Sequence, residues 1–281
     1  DQIDRQPVIV SIDQMVDRAH RSKIAQRLTS PTAALRVAEA KLLNLQRGKR
    51  AFEVGERHYD IGNDLYASML DSQMIYSCGY WRNADDLEAA QLAKLELVRN
   101  KLALEPGMRV LDIGCGWGGA ARYLAEQAGC EVVGLTVSVE QAKLARERCD
   151  GLTVEIRVQD YREIDEKFDR VYSIGMFEHV GVKNYRTYMQ AVGRCLSDPD
   201  GLTLLHTIGG NRSSSRTDPW MDRYIFPNSV LPSAGQIAKA AEGELTIEDW
   251  HNFGPDYDRT LMAWHANVTA QWNDLPATYD S

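Results

Sequence analysis

The chain has 281 residues, 44% hydrophobic and 26% charged, which provides for one large domain with a packed core plus an appendage. No run approaches the roughly 18–20 apolar residues that span a bilayer, so no transmembrane helix is expected, and the polar, acidic start Asp1-Gln2-Ile3-Asp4 does not read as a signal peptide. The net charge of −8 is unevenly placed, with nine bases and one acid between Arg18 and Arg50 and an acidic remainder, a balance that argues against general nucleic-acid binding.

In chain order, residues 13–47 alternate apolar and polar at helical spacing, and Ser30-Pro31 divides the run into two helices. Their basic run has two readings. One is a solvated helix face; the other is attraction to anionic lipid headgroups, worth about 1 kcal/mol per base near the surface. Asp60-Ile61-Gly62-Asn63-Asp64 reads as a turn that starts a helix near Leu65. Asp85-Asp86-Leu87-Glu88 opens a strong helix to Lys101, with acids in the first turn as the helix dipole favours. Glu105-Pro106-Gly107 ends that region.

From Met108 short apolar runs alternate with helical segments. The runs are 109–113, 131–135, 153–158, 170–174 and 202–207; the helical segments are 118–128, 139–149 and 183–196. This alternation predicts an α/β fold with a parallel sheet covered on both faces. Residues 211–235 carry a polar Asn211–Thr217 stretch and then Pro219, Pro227 and Pro232, and read as a cover rather than a regular element. The five cysteines (Cys78, Cys115, Cys130, Cys149 and Cys195) are scattered, with no paired spacing. Neither a disulfide framework nor a metal site is expected, and a reducing cytoplasm fits.

The sharpest local signal is Val110-Leu111-Asp112-Ile113-Gly114-Cys115-Gly116-Trp117-Gly118-Gly119. A strand runs into an acid, then into a glycine turn, then into a helix whose first N–H groups are free for a ligand. A dinucleotide site would use Gly-x-Gly-x-x-Gly. Here the spacing is Gly-x-Gly-x-Gly-Gly, and the Asp112 carboxylate would repel a pyrophosphate. Asp-x-Gly-x-Gly after a strand resembles motif I of the class I methyltransferases, which bind S-adenosylmethionine. An acid is common in them at the end of the second strand; this chain has Gly134-Leu135-Thr136-Val137-Ser138 there, with Thr136 and Gln141 as the polar groups and Asp160 after the third strand.

Further segments narrow the resemblance. They are His58-Tyr59-Asp60, Tyr76-Ser77-Cys78-Gly79-Tyr80-Trp81, Gly175-Met176-Phe177-Glu178-His179-Val180-Gly181, His206-Thr207-Ile208-Gly209 and Asp256-Tyr257-Asp258. With the glycine loop they resemble the cyclopropane-fatty-acid synthases, a family that includes the mycolic-acid cyclopropane synthases. Gln159-Asp160-Tyr161-Arg162, and Asp218-Pro219-Trp220 through Pro227-Asn228, are more similar to the bacterial phospholipid enzymes.

The resemblance implies a Rossmann-like class I methyltransferase fold. A mostly parallel seven-stranded sheet would be flanked by helices, with residues 1–50 as a helical, lipid-facing or linking segment and 51–281 as the catalytic domain. Helices beyond Trp272 normally cover part of the acyl pocket in such chains. The implied reaction is methylene transfer from S-adenosylmethionine to the cis double bond of a phospholipid acyl chain, giving a cyclopropane. The implied cofactor site is Tyr76, Ser77, Asp112, Gly114, Cys115, Gly116, Trp117, Gly118, Thr136, Gln141, Asp160, Tyr161 and Arg162. Glu178, His206, Ile208 and Tyr257, with Cys78, match the positions that hold bicarbonate, the family's general base. Tyr59, Tyr80 and Phe177, beside Tyr76, are candidates to line the path of a cationic intermediate, which aromatic faces favour by roughly 0.5–2 kcal/mol. A cytoplasmic enzyme bound peripherally to the inner face of the membrane, and a homodimer, are further implications. The competing expectation is a methyltransferase acting on an amine or hydroxyl.

Overall fold

Val110, Leu111 and Ile113 of β2 (Arg109–Ile113) are all nearly inaccessible. So is the apolar run of β3 (Glu131–Thr136). Strands this apolar along their whole length have both faces covered, which is the condition of a parallel sheet. The computed structural model describes residues 9–10, 62–215, 220–221, 229–276 and 279. Two short strands and three longer ones complete the sheet: β1 (Ile9–Val10), β4 (Val154–Val158), β5 (Arg170–Ile174), β6 (Leu202–His206) and β7 (Trp250–His251). The order is β4-β3-β2-β5-β6-β1-β7, and every pairing is parallel. The seven strands match the expected number. The strand at Ile9–Val10 lies inside a segment read as helical; its register opposite Leu205 and Trp250 fills the gap between β6 and β7. The helices expected over 13–47 lie outside the described residues.

The helices follow the sequence signals closely. They are α1 (Asn63–Met69), α2 (Leu87–Lys101), α3 (Gly119–Ala128), α4 (Val139–Arg148) and α5 (Tyr185–Cys195), then α6 (Ala234–Ala241) and α7 (Asp256–Gln271). Asp86 caps α2 by accepting from the Ala89 N–H at 2.8 Å, and Ser138 caps α4 from Gln141 N–H at 3.2 Å. Helix α6 begins inside the stretch read as irregular cover. A capping box there, Ser233 with Gln236, satisfies two helix-end donors reciprocally.

One face of the sheet (Leu111, Ile113, Val133, Leu135, Val171) packs against α5 and α6. The other (Val110, Val132, Tyr172, Leu204) packs against α2 and α3. A third cluster joins Tyr66, Trp81, Leu87, Trp117 and Trp264, so that α1 and α7 sit over the strand ends. From β2 the chain adds β3 and β4 on one side, then crosses to add β5 and β6 on the other. A crevice opens beyond the carboxyl ends of the strands where the order reverses.

Candidate active site

That crevice holds a cavity of about 210 Å³, lined by the loops that leave β2, β3, β4 and β5 and by the 74–77 segment. Gly114 turns at φ 92°, and a Cβ on it would lie 2.7 Å from the Met176 side chain. Gly116, at φ 54°, has nothing within 4 Å of where its Cβ would be, so its bare backbone faces the opening. These two glycines let the loop run beneath a ligand at contact distance. Segment 73–77 closes the other side. The Asp71 carboxylate accepts from the Gln73 N–H at 3.0 Å and the Ile75 N–H at 2.9 Å. Buried Gln91 donates to the Ser77 carbonyl at 2.9 Å.

Asp112 is 2% exposed, and the Tyr172 hydroxyl donates to it at 2.7 Å. Burial pushes this carboxyl up to about 7, against the opposing hydrogen bond: it is an anion site lacking a cation. Thr136 donates to Gln141 Oε1 at 3.0 Å, leaving the Gln141 amide nitrogen as its donor group. The Asp160 carboxylate is engaged by the Arg162 guanidinium and, at 3.0 Å, by the Arg162 N–H. Tyr76, Ser77, Cys115, Trp117, Tyr161 and Arg162 line the cavity together with Asp112, Gly114, Gly116, Thr136, Gln141 and Asp160. Gly118 does not. It is the left-handed cap of α3, and its missing Cβ would meet Ala145 and Cys149 at 3.1 Å, so its place is a helix–helix contact. A cavity with one unneutralised buried carboxylate and a glycine floor fits a cationic nucleoside such as S-adenosylmethionine.

Beside the cavity lies a buried cluster of polar side chains, the recess. Gly175, after β5, donates its N–H to the His206 carbonyl at 2.9 Å, which sets β6 beside the Met176–His179 turn. Glu178 is 6% exposed; its Oε1 accepts from the Ile208 N–H at 2.7 Å, and its Oε2 is buried with no partner. Burial raises its pKa. His206 is 3% exposed, and neither ring nitrogen has a partner. Burial, then the Lys94 charge, holds it down to about 3, so the ring is neutral. Phe253 stacks on it with centroids 5.6 Å apart. The Tyr257 phenol is raised by burial first, then by the neighbouring Tyr76, Cys78 and Glu178, so these three lie within electrostatic reach of its hydroxyl. Cys78 is fully buried, its thiol pushed up to about 12 by desolvation, so it is no nucleophile. Glu178 and Ile208 are thus joined by a hydrogen bond, Tyr257 and Cys78 lie within electrostatic reach of each other, and His206 sits two residues before Ile208 beside Phe253.

Of the described aromatics expected to line the path of a cation only Tyr76 lines the cavity, beside Trp117, and buried rings back the two. Trp117, Tyr66, Tyr76, Trp264 and Tyr257 form a chain with successive centroids 4.8, 5.3, 5.2 and 6.1 Å apart. Phe177 points away from the cavity, because it is fully buried and stacked on Tyr185 at 4.3 Å. Tyr80 packs on His251 and Phe253, one ring removed from His206. Tyr59 lies outside the described residues. Tyr66, Trp264, Met176, His179 and Thr260 were not singled out from sequence. Thr260 accepts from the Gly79 N–H at 3.0 Å and the Trp81 indole at 2.8 Å, tying α7 to the 78–81 segment. The readable signal was helical spacing, since Tyr257, Thr260 and Trp264 share one face of α7.

The family model described as mycolic acid cyclopropane synthetase matches residues 46–281. The cyclopropane-fatty-acyl-phospholipid synthase of Escherichia coli (strain K12) is 56% identical over 245 residues, covering 87% of this chain and 64% of that protein. The chain thus spans less than two thirds of that relative's length. The solved structure of the cyclopropane synthase MmaA2 from Mycobacterium tuberculosis is 31% identical with a TM-score of 0.74, over 79% of this chain and 85% of that one. The mycolic acid cyclopropane synthase CmaA1 complexed with SAH and CTAB is 33% identical with the same TM-score of 0.74 and the same coverage, 79% and 85%.

Proposed function

The chain belongs to the mycolic acid cyclopropane synthetase family, and from that premise we propose that it binds S-adenosylmethionine in the cavity beyond β2 and β5. We further propose that it transfers a methylene unit to the cis double bond of an unsaturated phospholipid acyl chain, closing a cyclopropane, with bicarbonate in the recess as general base. The observation that carries this reading is the recess itself. Glu178 Oε2 and both nitrogens of His206 are buried without partners, next to the cofactor cavity. An unpaired buried polar atom costs about 1–3 kcal/mol, so a small ligand with a hydroxyl and acceptor oxygens is favoured there.

The bound donor would supply an electrophilic methyl, and bound bicarbonate would supply the base for the proton lost as the ring closes. The protein's own groups have separate tasks. Asp112, ionised, holds a cationic end of the donor. The unpaired Glu178 Oε2 accepts an O–H; two bare anions would repel, so only a ligand bearing a proton suits it. The Tyr257 hydroxyl is a donor to the ligand, while the Ile208 N–H stays on Glu178 Oε1. The faces of Tyr76 and Tyr257 favour positive charge by roughly 0.5–2 kcal/mol. Phe253 over His206 excludes water from the recess.

A phospholipid acyl chain as substrate is supported by the name of the Escherichia coli relative and by the CTAB in CmaA1. No helix among the described residues is long and apolar enough to cross a membrane. We take the basic segment 18–50 to meet anionic headgroups peripherally at the inner face of the cytoplasmic membrane, as one protomer of a homodimer. Vesicle binding that weakens with salt supports this; salt-insensitive binding overturns it. The decisive experiment is mass spectrometry of unsaturated phospholipid vesicles after incubation with labelled S-adenosylmethionine, with and without bicarbonate. A labelled acyl chain heavier by one CH₂ and lacking its double bond is expected. A labelled product that keeps the double bond, or a labelled amine or hydroxyl, overturns the proposal.

A further inference from the structure

Lys94 is the single buried lysine or arginine among the described residues, at 1% exposure. It projects from α2 into the ground between cavity and recess, and its ammonium donates to the Ser77 hydroxyl at 2.7 Å. Ser77 lines the cavity, and its carbonyl accepts from Gln91, one helical turn before Lys94. A lone ammonium in an apolar interior is expensive unless something anionic faces it. The charged and titratable groups facing it are Asp71 after α1, Cys78 in the irregular segment before α2 and His206 on β6. Asp71 answers part of that charge while also accepting two backbone N–H groups, Cys78 is a neutral thiol, and His206 is neutral with no hydrogen-bond partner. The positive charge is therefore only partly answered by the residues around it.

We infer that Lys94 is a positioning residue that makes the recess electropositive, so that a small oxyanion binds there beside Glu178, while it fixes Ser77 at the edge of the cofactor cavity. This deepens the bicarbonate reading and rests on it. Glu178 alone would repel an anion, and neutral His206 adds no charge; the ammonium below supplies the attraction. Burial holds Lys94 down to about 8, so its charge is present at neutral pH and withdrawn at higher pH. An anion in the recess raises that value. Anion affinity thus falls above pH 8, by up to about tenfold per pH unit.

The test is calorimetric titration of bicarbonate into the whole chain saturated with S-adenosylhomocysteine, in carbonate-depleted buffer at pH 7.5 and 9. Wild type, Lys94→Met and Lys94→Arg are compared. Wild type is expected to bind several-fold more weakly at pH 9. Lys94→Met, kept saturated with S-adenosylhomocysteine, is expected to lose about tenfold or more of the pH 7.5 bicarbonate affinity and to show no pH dependence. Lys94→Arg keeps the charge and is expected to recover part of the affinity without the fall at pH 9. Bicarbonate binding by Lys94→Met within about twofold of wild type overturns the role of Lys94 and leaves the bicarbonate reading standing. Absence of bicarbonate binding by wild type at both pH values overturns both. If Lys94→Met loses S-adenosylhomocysteine binding as well, wild type decides: an affinity unchanged between pH 7.5 and 9 overturns the inference.

Discussion

The cofactor cavity and the recess beside it are built on opposite terms. The cavity is made largely of consecutive loop residues, and its polar groups are paired: Asp112 with Tyr172, Thr136 with Gln141, Asp160 with Arg162. The recess is made of side chains from residues 78, 178, 206 and 257, and its central polar atoms are unpaired. A paired site holds its shape without a ligand, whereas an unpaired one carries a standing cost that a ligand removes. The cavity should therefore govern binding, and the recess turnover.

The largest break in that comparison should come from Glu178→Gln. The amide keeps the shape but replaces one acceptor oxygen by a donor. Product formation should fall roughly 100- to 1,000-fold, the scale of losing one group aimed at the reacting centre. S-adenosylhomocysteine affinity, measured by calorimetry, should stay within about threefold. A methyltransferase acting on an amine would lose little, and turnover near wild type would remove the recess from the reaction.

Thr260→Val tests what holds the two regions together. The valine leaves the Gly79 N–H and the Trp81 indole without their acceptor in a fully buried place. Urea denaturation should show a loss of about 3 kcal/mol, two unsatisfied donors at the usual cost. A loss under about 1 kcal/mol would mean that the Trp264 packing and the bonds of Asp256, Arg259 and Asn267 hold α7 without Thr260.

Asp112→Asn sharpens the other side. Folding raises this carboxyl from its ordinary value of 3.8 to about 7. Between those values the folded state holds a proton that the unfolded state has released. Its stabilising contribution is complete below 3.8 and is lost as pH rises through about 7. A cationic donor needs the ionised form, so S-adenosylmethionine should bind more tightly at pH 8 than at pH 6, by about tenfold. In Asp112→Asn the affinity at pH 8 should drop by a similar factor and the pH dependence vanish. An unchanged pH slope in the variant would place the titrating group elsewhere.

The same contrast explains what was legible in the sequence. The sheet and most cofactor residues could be read because they are local: apolar runs give strands, and a glycine turn after an acid gives a ligand loop. The recess could be named only through resemblance, since nothing in the spacing of Glu178, His206 and Tyr257 says that they meet. Phe177 reads as lining from its place beside Glu178, but the two share a 3-10 turn that sets neighbours about a third of a turn apart, and Phe177 packs into the core beside Tyr185. Trp264 and Tyr66 are core aromatics, and their role is to back Tyr76 and Trp117, the rings that reach the cavity. Lys94 gave no signal at all, for a lysine in an amphipathic helix reads as solvated until α2 is seen covered on that side.

The smallest effect is also the most local, and it separates two glycines two residues apart. Gly116 and Gly118 both have positive φ, 54° and 80°, so alanine at either costs about 1–2 kcal/mol in backbone strain. They differ in what a methyl would meet. At Gly118 it would press on Ala145 and Cys149 at 3.1 Å, between α3 and α4; at Gly116 it would enter open space at the cavity. Gly118→Ala should therefore lower stability in urea by about 1–2 kcal/mol while S-adenosylhomocysteine affinity moves less than about twofold. Gly116→Ala should show a comparable strain loss and, in addition, weaken S-adenosylhomocysteine several-fold, because the methyl occupies space the ligand needs. If calorimetry finds the two variants equally impaired in binding, the loop acts as one unit and the division between floor and packing contact is lost.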